Sequence, residues 1–147
     1  MTPARLAIPP ARTPADLVRL HLPEPPSANA LFRNVSASER ATALRHGKSL
    51  PGRVKSAAYL TWANAAGWEL ASQRPGRIEG RYELTIAVSE EARLDLDNAP
   101  KAVSDLAQTH GLISNDRLAE RVTVERDPAV PARRILVTLK PWGGAHG

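Results

Sequence analysis

The chain contains no cysteine among its 147 residues, which excludes disulfide bonds and zinc sites built from thiolates. It also lacks a long apolar run. The opening residues, MTPARLAIPPARTPADLV, do not have the pattern of a signal peptide, and no stretch has the length and apolar character of a membrane span. These absences favour a cytoplasmic protein that does not associate with membranes, and the length is that of one ordinary domain.

Acidic residues are fewer than basic ones, 15 against 20, and the formal net charge of +5 is concentrated in one segment. Between Arg33 and Lys55 only Glu39 opposes the basic side chains, and no strong apolar period is present, so the sequence predicts a basic loop. Such a loop is either a solvated, mobile surface segment or an arm that binds nucleic-acid phosphates. Its candidate DNA-binding residues are Arg33, Arg40, Arg45, Lys48, Arg53 and Lys55.

Hydrophobic spacing and helix-boundary residues predict the order strand, helix, strand, helix, strand, strand. The helices are predicted from the cap at Ser56 to about Gln73, and from about Ala99 to His110, where Gly111 is placed to end the helix. The predicted strands are LVRLHLP, RYELTIAVS, AERVTVERD and RRILVTLKP, the last two antiparallel and joined by more than a two-residue turn. The prediction is an α+β (mixed α/β) domain over residues 18–141, with a small mixed sheet, two main helices and flexible tails at 1–17 and 142–147.

The segment RLDLDNAPK places two aspartates one residue apart just before the second helix. If it is extended, Asp95 and Asp97 point to the same side of the chain. One interpretation is purely structural: Asp97 or Asn98 caps the helix, and Lys101 and Asp105 form a surface ion pair one turn apart. Spacing alone does not decide between this interpretation and a metal site.

The alternative interpretation is a magnesium site formed by Asp95, Asp97 and Asp116. It requires the loop GLISND to double back after the helix, with Leu112 and Ile113 anchored in the core. Carboxylates this close repel one another unless a cation lies among them, and magnesium prefers hard oxygen ligands. Lys101 would then contact the scissile phosphate or the leaving oxygen, whereas His110 lies on the apolar side of the helix as a packing residue.

The stretch DLDNAPKAVSDLAQTHGLISND resembles the central signature of the RusA family of Holliday junction resolvases: Asp-x-Asp-Asn, a lysine, an aspartate, a glycine and a closing acidic pair. Two further stretches, LPEPPSANALFR and GRVKSAAYLTW, are similar to the proline-rich opening of that family and to its basic lead into the first helix. The likeness covers roughly residues 19 to 140. The closing pair departs from the family pattern, because Asn115 stands where an aspartate is common.

This resemblance implies a magnesium-dependent crossover junction endodeoxyribonuclease, found in bacteria and their phages or prophages, that acts in DNA recombination and repair. Manganese is expected to substitute for magnesium, the expected location is the cytoplasm at the nucleoid, and the expected state is a homodimer on a four-way DNA junction. Matched by position, Asp95, Asp97 and Asp116 correspond to the metal-binding carboxylates, Lys101 to the catalytic lysine and Asp105 to a recurring acid. Asn98 and Asn115 complete the candidate site.

Two other functions fit the same residues. One is a non-catalytic DNA-binding module in which the acidic residues only cap the helix, and the other is a nuclease for flaps or single-stranded DNA. RNA binding fits less well, because the aromatic strand motifs of common RNA-binding modules are missing.

Overall fold

A four-stranded mixed sheet in the order β1-β6-β4-β5 forms the centre of the protein. The computed structural model describes residues 12–27, 32–49, 53–92 and 99–143. Its strands are β1 (Val18–Pro23), β2 (Phe32–Asn34), β3 (Arg53–Lys55), β4 (Tyr82–Val88), β5 (Ala119–Arg126) and β6 (Arg134–Pro141). Its α-helices are α1 (Ala37–Arg45), α2 (Ala57–Ser72) and α3 (Ala99–Thr109). The small α+β fold predicted from the sequence is therefore confirmed.

Strand β4 is the most deeply buried strand of the described sheet. Tyr82, Leu84, Ile86 and Val88 are each at most 1% exposed and face the helices, in the alternation that the sequence predicts. The strand pairs antiparallel with β6 on one side and parallel with β5 on the other. Helix α3 lies in the connection between the two parallel strands, so β4, α3 and β5 form a β-α-β unit.

The sequence predicts β5 and β6 as two antiparallel strands, and this expectation needs a correction. They run in opposite directions, but β4 lies between them, so they do not pair with each other. The buried residues of β4 are typical of a central strand, which has a paired strand on each side. The half-exposed pattern of β5 is that of an edge strand. The connection of residues 127–133 therefore spans the width of one strand, in line with the predicted long connection.

Helix α2 begins where the sequence predicts, because the Ser56 hydroxyl accepts a hydrogen bond of 3.0 Å from the Tyr59 amide. Its buried side packs Tyr59, Trp62, Ala66 and Leu70 into the core, as the helical spacing predicts. In the described residues no helix is long and apolar enough to cross a membrane.

The outer edge of β1 is covered by the end of helix α2. The side-chain amide of Gln73 accepts a hydrogen bond from the His21 amide at 2.9 Å and donates one to the His21 carbonyl at 2.8 Å. The Trp62 indole donates to the Pro23 carbonyl at 2.9 Å. These contacts satisfy main-chain groups that an edge strand otherwise exposes.

Helix α3 is amphipathic, and its apolar face of Ala99, Ala102, Val103, Leu106 and Ala107 is buried as predicted. It ends at Gly111, whose positive φ of 74° is the left-handed conformation that glycine adopts without strain. Leu112 and Ile113 are buried directly after the turn, which confirms that this loop is anchored in the core.

The basic segment is not a loop, contrary to the prediction. Strands β2 and β3 pair antiparallel, and helix α1 lies between them. Helix α1 has no buried residue, so it lacks the apolar period that would have revealed it. It begins instead with a capping box, in which the Ser36 hydroxyl accepts from the Glu39 amide and the Glu39 carboxylate accepts from the Ser36 amide.

Some residues of the predicted tails contact the domain. Pro14 and Arg77 form a parallel β-bridge, and the Arg12 guanidinium donates to the His110 carbonyl at 2.7 Å. After β6, the Trp142 amide donates to the Arg81 carbonyl at 2.8 Å. Residues 1–11 and 144–147 lie outside the described residues.

Candidate nucleic-acid interface and metal-ligand face

The side of α3 opposite its buried face carries polar residues, two of which, Lys101 and Asp105, the sequence predicts to be functional. Lys101, Asp105 and Gln108 follow one another at helical spacing of four and three residues, so they share one face of the helix. We call this the polar face of α3. Lys101 is exposed in the first turn of the helix, while Asp105 is half-buried in the middle.

Asp105 contacts helix α2 through a short hydrogen bond. The Tyr59 hydroxyl donates to the Asp105 carboxylate at 2.8 Å. The Tyr59 ring is buried, and the pKa of its phenol is raised above the ordinary value, mainly by burial and then by the hydrogen bond and charge of Asp105. The phenol is therefore protonated at physiological pH and acts as a donor that holds the carboxylate in place.

A cation from the basic segment lies against the same tyrosine. The Lys55 ammonium is 5.2 Å from the centre of the Tyr59 ring, within the range of a cation–π contact. Lys55 ends β3 and directly precedes the cap residue of α2. The contacts from Lys55 to Tyr59 and from Tyr59 to Asp105 therefore connect the basic segment to the polar face of α3.

These residues line a surface groove of about 290 Å³ between α2 and α3. His110, at the end of this groove, is half-buried, and its pKa is lowered by burial and by the nearby charge of Arg12. A Cβ added at Gly67 would lie 2.9 Å from the His110 imidazole Nε2, so the ring packs directly on the helix backbone. This position is in line with the predicted packing role of His110.

Asp116 lies beside the last turn of α3. Its main-chain amide donates to the Gln108 side chain at 3.1 Å, and the Tyr82 hydroxyl makes a long contact of 3.5 Å with its carbonyl. Asn115 caps the short 3-10 turn Asp116–Leu118 by accepting from the Arg117 amide at 2.8 Å. In the closing pair Asn115–Asp116, the side-chain oxygen of Asn115 therefore caps the 3-10 turn.

The Asp116 carboxylate makes no hydrogen bond or ion pair with the parts of the chain that the structure describes. The carboxylate is exposed. Burial, and then the negative charge of Asp116, raise the pKa of the Tyr82 phenol.

Lys101 lies seven residues before Gln108, which corresponds to about 10 Å along the helix axis. Lys101 and Asp116 thus lie along the same side of α3 but near opposite ends.

Asp95, Asp97 and Asn98 lie outside the described residues, so the predicted meeting of Asp116 with the aspartate pair stays a prediction. Within residues 12–27, 32–49, 53–92 and 99–143, no group of three or more histidine, aspartate or glutamate side chains is close enough to hold a metal ion. The exposed Asp116 carboxylate has the chemistry of a magnesium ligand, but one carboxylate does not make a site. A magnesium site at this face would need further ligands, and Asp95 and Asp97 are the ones that the sequence predicts.

The predicted DNA-binding residues occupy what we call the basic hairpin, formed by β2, α1 and β3. The Arg33 guanidinium donates to both carboxylate oxygens of Glu39 at 2.7 and 2.8 Å. This contact, followed by the hydrogen bonds with Ser36, lowers the pKa of Glu39 to about 2. The positive charge of Arg33 is thereby largely neutralised within the hairpin. Arg40, Arg45 and Lys48 are exposed, and Arg53 belongs to β3, although its side chain lies outside the described residues.

Comparison with protein-family models and with curated proteins found no match. Two side chains were not predicted as candidate site residues: Tyr59 of α2, which contacts the polar face of α3 through Asp105, and Gln108, which belongs to that face. The helical spacing predicts Tyr59 as a core aromatic, which it is, but a buried tyrosine also needs a hydrogen-bond partner for its hydroxyl. That need was the signal in the sequence that pointed to a polar neighbour such as Asp105.

Proposed function

We propose that this protein is a magnesium-dependent endonuclease that cuts branched DNA, specifically four-way junctions, as a homodimer. The observation that carries the proposal is the chain of contacts from Lys55 through Tyr59 to Asp105. It connects a hairpin rich in exposed arginine and lysine to the helix face that carries Lys101. A DNA backbone bound by the hairpin would therefore lie next to the residues proposed for chemistry.

The basic hairpin supplies the binding step. Exposed Arg40, Arg45 and Lys48 neutralise phosphates regardless of base sequence, as a structure-specific nuclease requires. Arg33 contributes less, because Glu39 already holds it. Binding should therefore weaken steeply as the salt concentration rises.

The polar face of α3 supplies positioning and charge. The Lys101 ammonium would stabilise negative charge on the phosphate or on the leaving oxygen. Tyr59 fixes Asp105 by its hydrogen bond, so Asp105 is held at a defined point of the face beside the DNA path. Magnesium would be held by Asp95, Asp97 and Asp116, and a bound magnesium ion activates water and offsets charge at a phosphoryl centre.

The direct test is cleavage of a synthetic four-way junction, with and without magnesium, by the wild-type chain and by Asp97→Asn. The proposal expects paired nicks only with magnesium, and a variant that binds the junction but does not cut it. Asp16→Asn makes the same chemical change at an exposed position outside the polar face of α3 and should cut normally. Cleavage by Asp97→Asn at the wild-type rate would refute the proposed site.

Lys101→Ala tests the second proposed group. It should slow cleavage strongly while the thermal stability of the protein stays unchanged, because the lysine is exposed. Lys140→Ala is the matched control, since Lys140 is exposed in β6. A large loss of stability in Lys101→Ala, with no separate effect on cleavage, would favour the structural interpretation of the helix start.

Substrate comparison separates the remaining possibilities. A junction, a flap, a single strand and a plain duplex should be cut in a ratio that strongly favours the junction. Preferential cutting of flaps or single strands would assign a different nuclease activity. Junction binding that does not respond to magnesium, with no nicking of any substrate, would make the protein a DNA-binding module.

A further inference from the structure

The outer edge of β5 carries no paired strand among the described residues. The strand ends the sheet order, and Val122 is 46% exposed on it, an unusual position for a valine of a sheet. The opposite edge, at β1, is covered by Gln73 and Trp62 as described above. Within the described residues, β5 is therefore the edge of this sheet that is open to pairing.

We infer that two copies of this chain join through this edge, with their β5 strands antiparallel and Thr123 on the two-fold axis. The arrangement would make one continuous sheet from the two protomers. It names the contact surface of the homodimer in the proposed function, but it does not depend on nuclease activity. The inference rests on main-chain direction and on the order of charges along the strand.

Main-chain direction restricts the possible registers. The Asp127 amide donates to the Val88 carbonyl at 2.8 Å, so odd-numbered residues at the end of β5 turn their main-chain groups towards β4. The pairing of β4 with β5 is regular from Glu83 and Arg121 onwards, so Val122 and Val124 turn theirs towards the open edge. In an antiparallel pair, two residues that lie opposite each other either both turn their main-chain groups towards the shared edge or both turn them away. Every register that pairs an odd-numbered with an even-numbered residue is therefore excluded.

The charges then select one of the remaining registers. The strand reads AERVTVER, and an antiparallel copy centred on Thr123 places Arg121 opposite Glu125 of the partner subunit, and Val122 opposite Val124 of the partner subunit. Centring on Arg121 or Glu125 instead sets like charges against each other. Centring on Val122 or Val124 sets that valine opposite its own copy and does not pair Arg121 with Glu125. The Val124 register would pair Arg121 with Asp127, but Asp127 lies beyond the end of β5 and its carboxylate already accepts from the Ala129 amide. Opposite charges directly across an antiparallel pair stabilise it, and like charges destabilise it.

The two charged residues that matter are available for such contacts. Neither Arg121 nor Glu125 forms an ion pair within the described part of the chain, and both are exposed. The main-chain groups of both residues face β4 and not the open edge. In the antiparallel dimer, Arg121 and Glu125 would therefore form non-hydrogen-bonded pairs, in which opposed side chains approach most closely. The Arg121 guanidinium lies 5.2 Å from the centre of the Trp142 ring, which restricts its motion without neutralising its charge.

The charged residues at the two ends of β5 already contact other groups of the same chain, so they contribute less to pairing between copies. Glu120 pairs with Arg81 at 3.2 Å, and the Arg126 guanidinium donates to the Ala92 carbonyl at 2.7 Å. The strand also has a register irregularity where Tyr82 and Glu83 face it. Charged residues on an edge strand ordinarily discourage pairing between molecules. In the register centred on Thr123, however, the charges that lie opposite each other attract.

The experiment is charge reversal read out by sedimentation velocity over a series of protein concentrations. The wild-type chain should be a dimer, and R121E and E125R alone should each associate at least tenfold more weakly, because each opposes like charges twice per dimer. An equimolar mixture of R121E and E125R should dimerise again, since every charged pair across the edge is then opposite in sign. Arg19→Glu makes the same charge change in β1 and should not alter the mass.

Val122→Pro is a second test that leaves the charges unchanged. It removes an amide that faces the open edge, so it should weaken the dimer while the pairing with β4 is retained, as checked by circular dichroism. A wild-type chain that sediments as a monomer at every concentration overturns the inference. So do reversed variants that stay dimeric, or a mixture of them that stays monomeric.

Discussion

Replacing Tyr59 with phenylalanine removes one oxygen atom and leaves the buried ring in place. The hydroxyl donates to the Asp105 carboxylate at 2.8 Å, and the ring is 1% exposed. The variant therefore tests the hydrogen bond that joins α2 to the polar face of α3, without a cavity among the core side chains. It also removes a group whose pKa is raised by burial and by Asp105.

The expected loss follows from the chemistry of the two partners. A hydrogen bond to a charged group contributes about 1.5–3 kcal/mol, and Asp105 is partly exposed, so the lower part of this range applies, about 1.5–2 kcal/mol. For a chain of this length that loss corresponds to a fall in melting temperature of roughly 4–8 °C. Tyr82→Phe is the matched control: its hydroxyl makes only a long contact of 3.5 Å with the Asp116 carbonyl, so it should lose about 0.5 kcal/mol.

Urea unfolding at neutral pH measures both losses, and a repeat at high pH adds a second check. A raised folded-state pKa means that the stabilisation from Tyr59 is fully present below pH about 10 and is lost as the pH rises towards the folded-state value. The stability difference between the wild type and Tyr59→Phe should therefore shrink above pH about 10. If Tyr59→Phe loses no more stability at neutral pH than Tyr82→Phe, the contact does not hold the two helices together and the reasoning is wrong.

Three further predictions use single side chains. By carboxyl NMR, Glu39 should titrate at about 2, and Arg33→Ala should raise its pKa towards about 4.5, because the guanidinium is the largest cause of the depression; an unchanged value would contradict the ion pair. In junction binding measured over a range of salt concentrations, Arg40→Ala should reduce the slope by about 1 and Arg33→Ala by less, since only Arg33 is held by an acid; equal reductions would argue against this difference. Gly67→Ala should destabilise the protein by about 1 kcal/mol or more through its clash with the His110 ring, yet stabilise a His110→Ala background by up to about 1 kcal/mol through helix propensity, as thermal unfolding of the four proteins would show; a destabilisation that persists in that background would refute the clash.

The two main helices and the central strand were predictable because each has a strong local signal. Helix α2 has a serine cap and an apolar face, and β4 alternates with a period of two. Gly111 marks the end of α3 through its left-handed backbone. In each of these places, local propensity and burial in the core indicate the same element.

The basic hairpin was not predictable in the same way. Helix α1 buries no residue, so its stability depends on the capping box at Ser36 and Glu39 and on the ion pair with Arg33. Hydrophobic periodicity cannot detect such a helix. The signal that was present is the spacing of serine and glutamate three residues apart, which is a helix-start signature independent of any apolar face.

The strand order was hidden for a different reason. The sequence of β5 indicates a half-exposed strand, but which neighbour it joins depends on where α3 returns the chain. Because α3 connects β4 to β5 in parallel, β6 must take the other side of β4, and β5 becomes an edge. This placement brings Asp116, at the start of β5, to the last turn of α3, whereas Lys101 lies in the first turn. The predicted site residues Lys101 and Asp116 are therefore separated along the length of α3, and the proposed metal ligands Asp95 and Asp97 belong to the acidic segment that precedes that helix.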